Sequence, residues 1–158
     1  EWKDVTTRVF SIDVEGRTIV REAHECGFAY RASALPSSEI VTHARLRLRA
    51  RPGREIDEAV RALRERRKAR EPSAVPNAGS IFKNPPGDFA GRLIEQAGLK
   101  GRRVGGIEVS PVHANWLVNA AKEPAQAMLE LVEIVRAAVV ERFGVRLELE
   151  VKVVGEDA

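Results

Sequence analysis

An α+β fold is predicted by three observations. Apolar and polar residues alternate with period two near both ends of the chain. Between them the apolar period changes to i, i+3, i+4, i+7. Proline or glycine punctuates almost every change of period. Alternation marks strands, the longer period marks amphipathic helices, and the breakers mark their ends. No G-x-G-x-x-G follows a strand and no Walker loop occurs, so nothing reads as a doubly wound nucleotide fold. Two or three helices against a small mixed sheet are expected in the second part of the chain.

The elements follow in order. Arg8, Phe10, Ile12 and Val14 alternate with Thr7, Val9, Ser11 and Asp13, which predicts a strand. Glu15-Gly16 turns the chain and Thr18–Val20 returns it. Residues 21–33 have no clean period. From Ile40 to Arg49, Thr42, Ala44, Leu46 and Leu48 share one face, and His43, Arg45, Arg47 and Arg49 the other. An apolar face opposite a basic one suits a half-covered antiparallel sheet. Arg51-Pro52-Gly53 breaks the pattern and places a domain boundary near Pro52. Ile56, Ala59, Val60 and Leu63 then predict a helix over 54–69. Four prolines between 71 and 87 forbid a continuous helix there. Asp88 is expected to cap a short helix carrying Phe89, Leu93, Ile94 and Ala97, with Gly98 as its stop. Residues 104–109 and 116–119 read as strands. The longest helix is expected over 124–143, on a stripe of Met128, Leu131, Val135, Ala138 and Val139. Past Gly144, strict alternation from Val145 to Val153 makes the clearest strand signal in the chain.

Composition excludes some functions. The chain has 158 residues, 44% hydrophobic and 31% charged, so a packed core is expected and global disorder is not. That length suits one domain, or one domain plus part of another. No apolar run approaches the ~20 residues of a membrane span, and no signal-peptide pattern occurs. One cysteine, Cys26, forms no disulfide framework and fits a reducing compartment. His24, His43, His113 and Cys26 lack ligand spacing, so no metal site is expected. The net charge is +3, with Arg64, Arg66, Arg67, Lys68 and Arg70 concentrated in one segment. That segment is either a solvated mixed-charge helix face or a polyanion site. Two Trp, one Tyr and five Phe, none interleaved with it, argue against nucleic acid. A pure interaction domain is a further alternative. The chain begins at Glu1 with strand-like sequence, so a piece of a longer protein, a processed product or a truncated form is expected.

Three places carry candidate chemistry. "NAGSIFKNPP" at 77–86 is too polar and broken for a strand interior, yet it concentrates donors. The Ser80 hydroxyl either caps a turn or donates a proton to a carbanion or oxyanion, with Lys83 near in sequence to supply charge. Glu150 lies on the polar face of its strand. It is ordinary if that face meets solvent and functional if it lines a cleft. Arg31, beside Tyr30 in an aperiodic loop, can grip a carboxylate or phosphate in bidentate fashion, or make a surface ion pair.

"PNAGSIFKNP" (76–85), "AGRLIEQAGLKG" (90–101), "GGIEVSPVHANWLVN" (105–119) and "LELEVKVVG" (147–155) occur in an order that resembles the UDP-N-acetylenolpyruvoylglucosamine reductases, in their shorter form. "ECGFAYRAS" (25–33) is similar to the motif that closes the family's flavin-binding region. The resemblance implies a cytoplasmic oxidoreductase of peptidoglycan precursor synthesis. NADPH and FAD would reduce the enolpyruvyl ether of UDP-N-acetylglucosamine, in service of the cell wall, cell shape and cell division. It implies that Ser80 donates the proton, and that Arg31 and Glu150 bind and polarise the substrate carboxylate. A glutamate in that place works best protonated, because two anions at hydrogen-bond distance repel. Tyr30, Lys83, Asn84 and His113 match substrate-contacting positions. The implied architecture is the tail strands of a flavin-binding (PCMH-type) domain over 1–51, then a substrate-binding domain of helices on a small sheet over 52–158. The family's glycine-rich flavin loop has no counterpart here. This chain alone is therefore expected to bind FAD weakly or not at all and not to turn over. Residues 1–51 are expected to expose strand edges and apolar surface.

Overall fold

A computed structural model describes residues 1–72 and 74–155. The chain forms two compact units, Glu1–Ile56 and Asp57–Ala158. The α+β reading holds, with helices and small sheets segregated along the chain.

The first unit contains helix α1 (Trp2–Val5), strands β1 (Thr6–Ile12) and β2 (Thr18–Glu22), a 3-10 turn at Ala23–Cys26, and strand β3 (Ile40–Leu46). Its sheet has the order β2-β1-β3 and is antiparallel throughout. The Asp13 carboxylate builds the first hairpin turn by accepting the Glu15 and Arg17 N–H groups at 3.1 and 2.8 Å. Few apolar residues are buried here, chiefly Val9 and Cys26. A polar knot takes much of the core's place. Arg21 donates to both oxygens of Glu39 at 2.6 and 2.7 Å, and buried Ser11 donates to Glu39 at 2.5 Å. The Arg21 guanidinium, helped by Ser11, holds the Glu39 carboxyl below its usual range. The half-covered face expected on the third strand is absent. Of β3 only Leu46 is even half-buried, and Ile40 is 73% exposed. β3 is an edge strand, and the Ala23–Cys26 turn packs on β1 and β2 instead.

Helix α2 (Gly53–Arg70) begins at the expected break. Its stripe stays on the surface: Ile56, Val60 and Leu63 are all exposed, and no α2 residue is buried. The second unit continues with β4 (Asn77–Ser80), α3 (Ala90–Gln96), β5 (Arg103–Val104), β6 (Ile107–Val109), β7 (Trp116–Asn119) and α4 (Ala125–Phe143). Its sheet has the order β4-β7-β6-β5 and every pair is antiparallel, so it is not mixed. Helices α3 and α4 enclose one apolar core. Leu93 and Ile94 come from α3, and Leu131, Val132, Val135 and Val139 from α4; Ile107, Val109 and Leu117 come from the sheet. Met128 is only partly buried at the rim of that core, and Ala138 is half-buried. Among the described residues no helix is long and apolar enough to cross a membrane.

Four local readings are corrected. The stretch 77–80, read as too broken for a strand, is β4. The stretch 104–109 is divided by a turn at Gly105-Gly106, which leaves the β5–β6 hairpin. Asp88 is not the cap of α3. It accepts the Phe89 N–H at 2.6 Å and pairs with Arg92, while Asn84 Oδ1 takes the Ala90 N–H at 3.0 Å. Finally, 145–153 makes no ladder. One isolated bridge joins Phe82 to Leu149, with Lys83 N–H donating to Glu148 O and Glu150 N–H to Ile81 O, both at 2.8 Å. Its alternation still directs Leu147, Leu149 and Val151 toward the core. On the 145–148 side, Pro85 and Pro86 bring no N–H to extend the pairing.

The packing yields a contrast measurable by urea unfolding. Leu131→Ala is expected to cost about 2–5 kcal/mol by leaving a cavity. Leu63→Ala, on the exposed stripe of α2, is expected to stay within roughly 0.5 kcal/mol. Equal costs would contradict this assignment of the core.

Candidate active site

The Ser80 strand is irregular by construction. Asn77 pairs with Val118 and Ser80 with Trp116, so three steps along β4 match two along β7. The extra residue makes a β-bulge, a device that re-aims the following side chain. Gly79 sits within it at φ +80, where a side chain would be strained. Asn77 stabilises the bend. Its Oδ1 accepts the Gly79 N–H at 3.0 Å, and its Nδ2 donates to Val75 O at 2.7 Å and Pro72 O at 3.2 Å. Open space lies over Gly79, and Ser80 is half-buried.

Beyond Ser80 the β4–β7 ladder ends, yet the next two side chains, Ile81 and Phe82, are fully buried. Their backbone groups are met by one residue on one side. Ile81 N–H donates to Asn115 O at 2.9 Å, Phe82 N–H to Asn115 Oδ1 at 3.0 Å, and Asn115 Nδ2 returns a bond to Phe82 O at 2.8 Å. Residues 148–150 meet the other side. One residue and one backbone hydrogen bond therefore separate Ser80 from Glu150, which is half-buried. Lys83 extends to Glu148, 3.3 Å away.

Asn84 and His113 converge on the start of α3. Asn84 is its cap acceptor, as described above. The His113 ring lies against Gly91, where an added Cβ would stand 2.9 Å from Cε1. His113 Nδ1 faces the Asn115 N–H at 3.2 Å, which makes it the acceptor and puts the neutral ring's proton on Nε2. Burial pushes the His113 pKa below the usual imidazole value; Glu71 and Glu95 oppose the shift and Lys100 adds to it. Sequence reasoning missed Asn115, Asn77 and Gly91. The available signal was a carboxamide inside the otherwise apolar "HANWLV" run.

Tyr30 and Arg31 belong to the first unit. Ala29 and Ala32 exchange two backbone hydrogen bonds of 3.0 and 3.3 Å, so Tyr30 and Arg31 form the tip of a tight turn. Arg31 adopts φ 54. The left-handed region costs a non-glycine residue roughly 1–2 kcal/mol, and such strain gathers at functional positions. Both side chains are exposed, with the guanidinium carbon 5.7 Å from the Tyr30 ring centre.

A flavin's pyrophosphate needs a cradle of backbone N–H groups at an open glycine-rich turn. The glycines of the first unit make none. Gly27 has Ala34 Cβ only 2.7 Å from where its own Cβ would lie, Gly16 is a hairpin tip, and Gly53 begins α2. Among the described residues, the glycines of the first unit therefore provide no such cradle. No group of three or more His, Cys, Asp or Glu among the described residues could hold a metal ion.

The model of the UDP-N-acetylenolpyruvoylglucosamine reductase C-terminal domain matches residues 71–154. UDP-N-acetylenolpyruvoylglucosamine reductase 2 of Symbiobacterium thermophilum is 52% identical over 134 residues, covering 84% of this chain and 44% of the relative. The Anaeromyxobacter dehalogenans reductase is 46% identical over 156 residues, covering 99% and 47%. The crystal structure of UDP-N-acetylenolpyruvylglucosamine reductase (MurB) from Thermus caldophilus aligns at a TM-score of 0.81 and 40% identity, over 95% of this chain and 53% of that one. The chain thus spans about half the length of the curated relatives it matches.

Two measurements probe the His113 pocket. Gly91→Ala gains about 1 kcal/mol of helix propensity but pushes the imidazole off Asn115. It is expected to be neutral or destabilising alone and stabilising in a His113→Ala background; stabilisation in both backgrounds would contradict the contact. The second is pH dependence. A lowered His113 pKa means the unfolded chain takes up a proton first as pH falls. Stability is then full above the unfolded value of about 6.5 and is lost below it, down through the depressed folded pKa. Urea midpoints between pH 8 and pH 5 are expected to show this slope, and His113→Gln to flatten it.

Proposed function

The chain belongs to the UDP-N-acetylenolpyruvoylglucosamine reductase family, and on that premise we propose that it is the substrate-side part of a cytoplasmic peptidoglycan-precursor enzyme. The reaction adds hydride and proton across the enolpyruvyl double bond of UDP-N-acetylglucosamine enolpyruvate, giving UDP-N-acetylmuramate. FAD, reduced by NADPH, supplies the hydride in the whole enzyme. On this reading residues 1–51 are the end of the FAD-binding domain and 52–158 the substrate-binding domain.

The residues of this chain handle the charge. Hydride arriving at the terminal vinyl carbon leaves a carbanion beside the carboxylate. Arg31, held at a turn tip in a strained conformation, is suited to a bidentate grip on that carboxylate. Glu150 is assigned to polarise the same carboxylate, so the negative charge spreads onto oxygen. Ser80 then delivers the proton to carbon. Tyr30, Lys83, Asn84 and His113 are assigned to substrate binding. One observation supports this most: the general acid and a carboxylate-polarising residue lie on adjacent paired segments, joined by the Glu150 N–H to Ile81 O bond.

In the whole protein, Ser80→Ala is expected to lower kcat by roughly 10²- to 10⁴-fold with little change in KM, the usual range for a lost general acid. Arg31→Ala and Glu150→Gln are expected to slow the same turnover, followed as NADPH oxidation. Undiminished turnover in Ser80→Ala would sink the assignment.

A further inference from the structure

The inference rests on the roles just given to Ser80 and Glu150. We propose that Asn115 is a positioning residue for that pair, acting through the backbone of Ile81 and Phe82.

The ladder between β4 and β7 ends at the Ser80–Trp116 pair. The next residues must continue into the core, because Ile81 and Phe82 are 0% and 1% exposed. They have no strand neighbour on the β7 side, and water cannot serve buried backbone groups there. The Asn115 side chain, only 4% exposed, stands in for a strand residue by accepting from Phe82 N–H and donating to Phe82 O. Its own carbonyl takes the Ile81 N–H.

Two devices thus bracket Ser80. The Gly79 bulge sets the backbone before it, and the Asn115 clamp sets the backbone after it. The same clamp reaches Glu150, whose N–H is bonded to Ile81 O. If the 81–82 segment shifts, donor and polariser move together. His113 Nδ1 steadies the clamp by accepting the Asn115 N–H. The task needs one acceptor and one donor at the end of a two-carbon side chain. Asparagine provides both, whereas an ionised aspartate sets two like charges of partial sign against the Phe82 carbonyl.

The experiment uses the whole enzyme with Asn115→Asp, made alone and with Ser80→Ala. A folded Asn115→Asp enzyme, verified by its thermal transition, is expected to lose roughly 10- to 100-fold in kcat, the scale of an ångström-level misplacement. KM should change by less than about threefold, and the solvent deuterium isotope effect on kcat should rise as proton delivery slows. In the Ser80→Ala background the same substitution should cost several-fold less than in the wild-type background, because only Glu150 is left for it to position. If Asn115→Asp does not fold, Asn115→Ser is measured in the same two backgrounds. Overturning results are an unchanged kcat and isotope effect, a loss confined to KM, or an equal loss in both backgrounds. A wild-type enzyme without reductase activity, or a fully active Ser80→Ala, would instead refute the underlying reading and this inference with it.

Discussion

The second unit depends on satisfying the backbone of two buried residues, Ile81 and Phe82, between Asn115 and the 148–150 segment. Ile81 and Phe82 are both fully buried just past the end of the β4–β7 ladder. Leaving the ladder there strands polar groups in an apolar core. Each unsatisfied one would cost about 1–3 kcal/mol. Asn115 and the 148–150 segment meet all of them from Ile81 N–H to Lys83 N–H. Core packing, the path of the C-terminal segment and the place of Ser80 beside Glu150 follow from that arrangement.

Backbone irregularity recurs where chemistry is assigned. Gly79 takes the left-handed region without penalty, and its bulge aims Ser80. Arg31 takes the same region at a cost, at the tip of a two-residue turn. A glycine would fit that turn more easily but would remove the guanidinium. The two units also differ in how they cohere. Asp57–Ala158 has an apolar core in which Leu, Ile and Val from two helices meet a sheet. Glu1–Ile56 relies on a Ser11–Glu39–Arg21 knot, whose partners need one another because an isolated buried charge is far costlier than a paired one.

Exposed apolar side chains mark the limit of local pattern. The α2 stripe of Ile56, Val60 and Leu63 correctly signals a helix, since periodicity is a property of the segment itself. Whether that stripe is covered depends on what packs against it, and in this structure no residue of the helix is buried. β3 gives the same lesson, with real alternation and both faces exposed.

Fold class and the long helices were legible because their signals are local. The i, i+4 spacing in 54–69 and 124–143 and the stop at Gly144 need no distant partner. The alternation of 145–153 was legible too, and Leu147, Leu149 and Val151 do turn toward the core. That the segment would make one bridge rather than a ladder could not be read, because its partner, Phe82, lies far earlier in the sequence. The candidate residues were named from type and motif. Their grouping came only with tertiary structure. Asn84 caps a helix six residues away, His113 leans on Gly91, and Asn115 clamps a segment thirty-three residues distant. By itself the sequence determined which segments are helical and which residues carry reactive groups, since spacing and side-chain chemistry are local. Tertiary structure decided which backbone groups lose their water and which side chains must replace it.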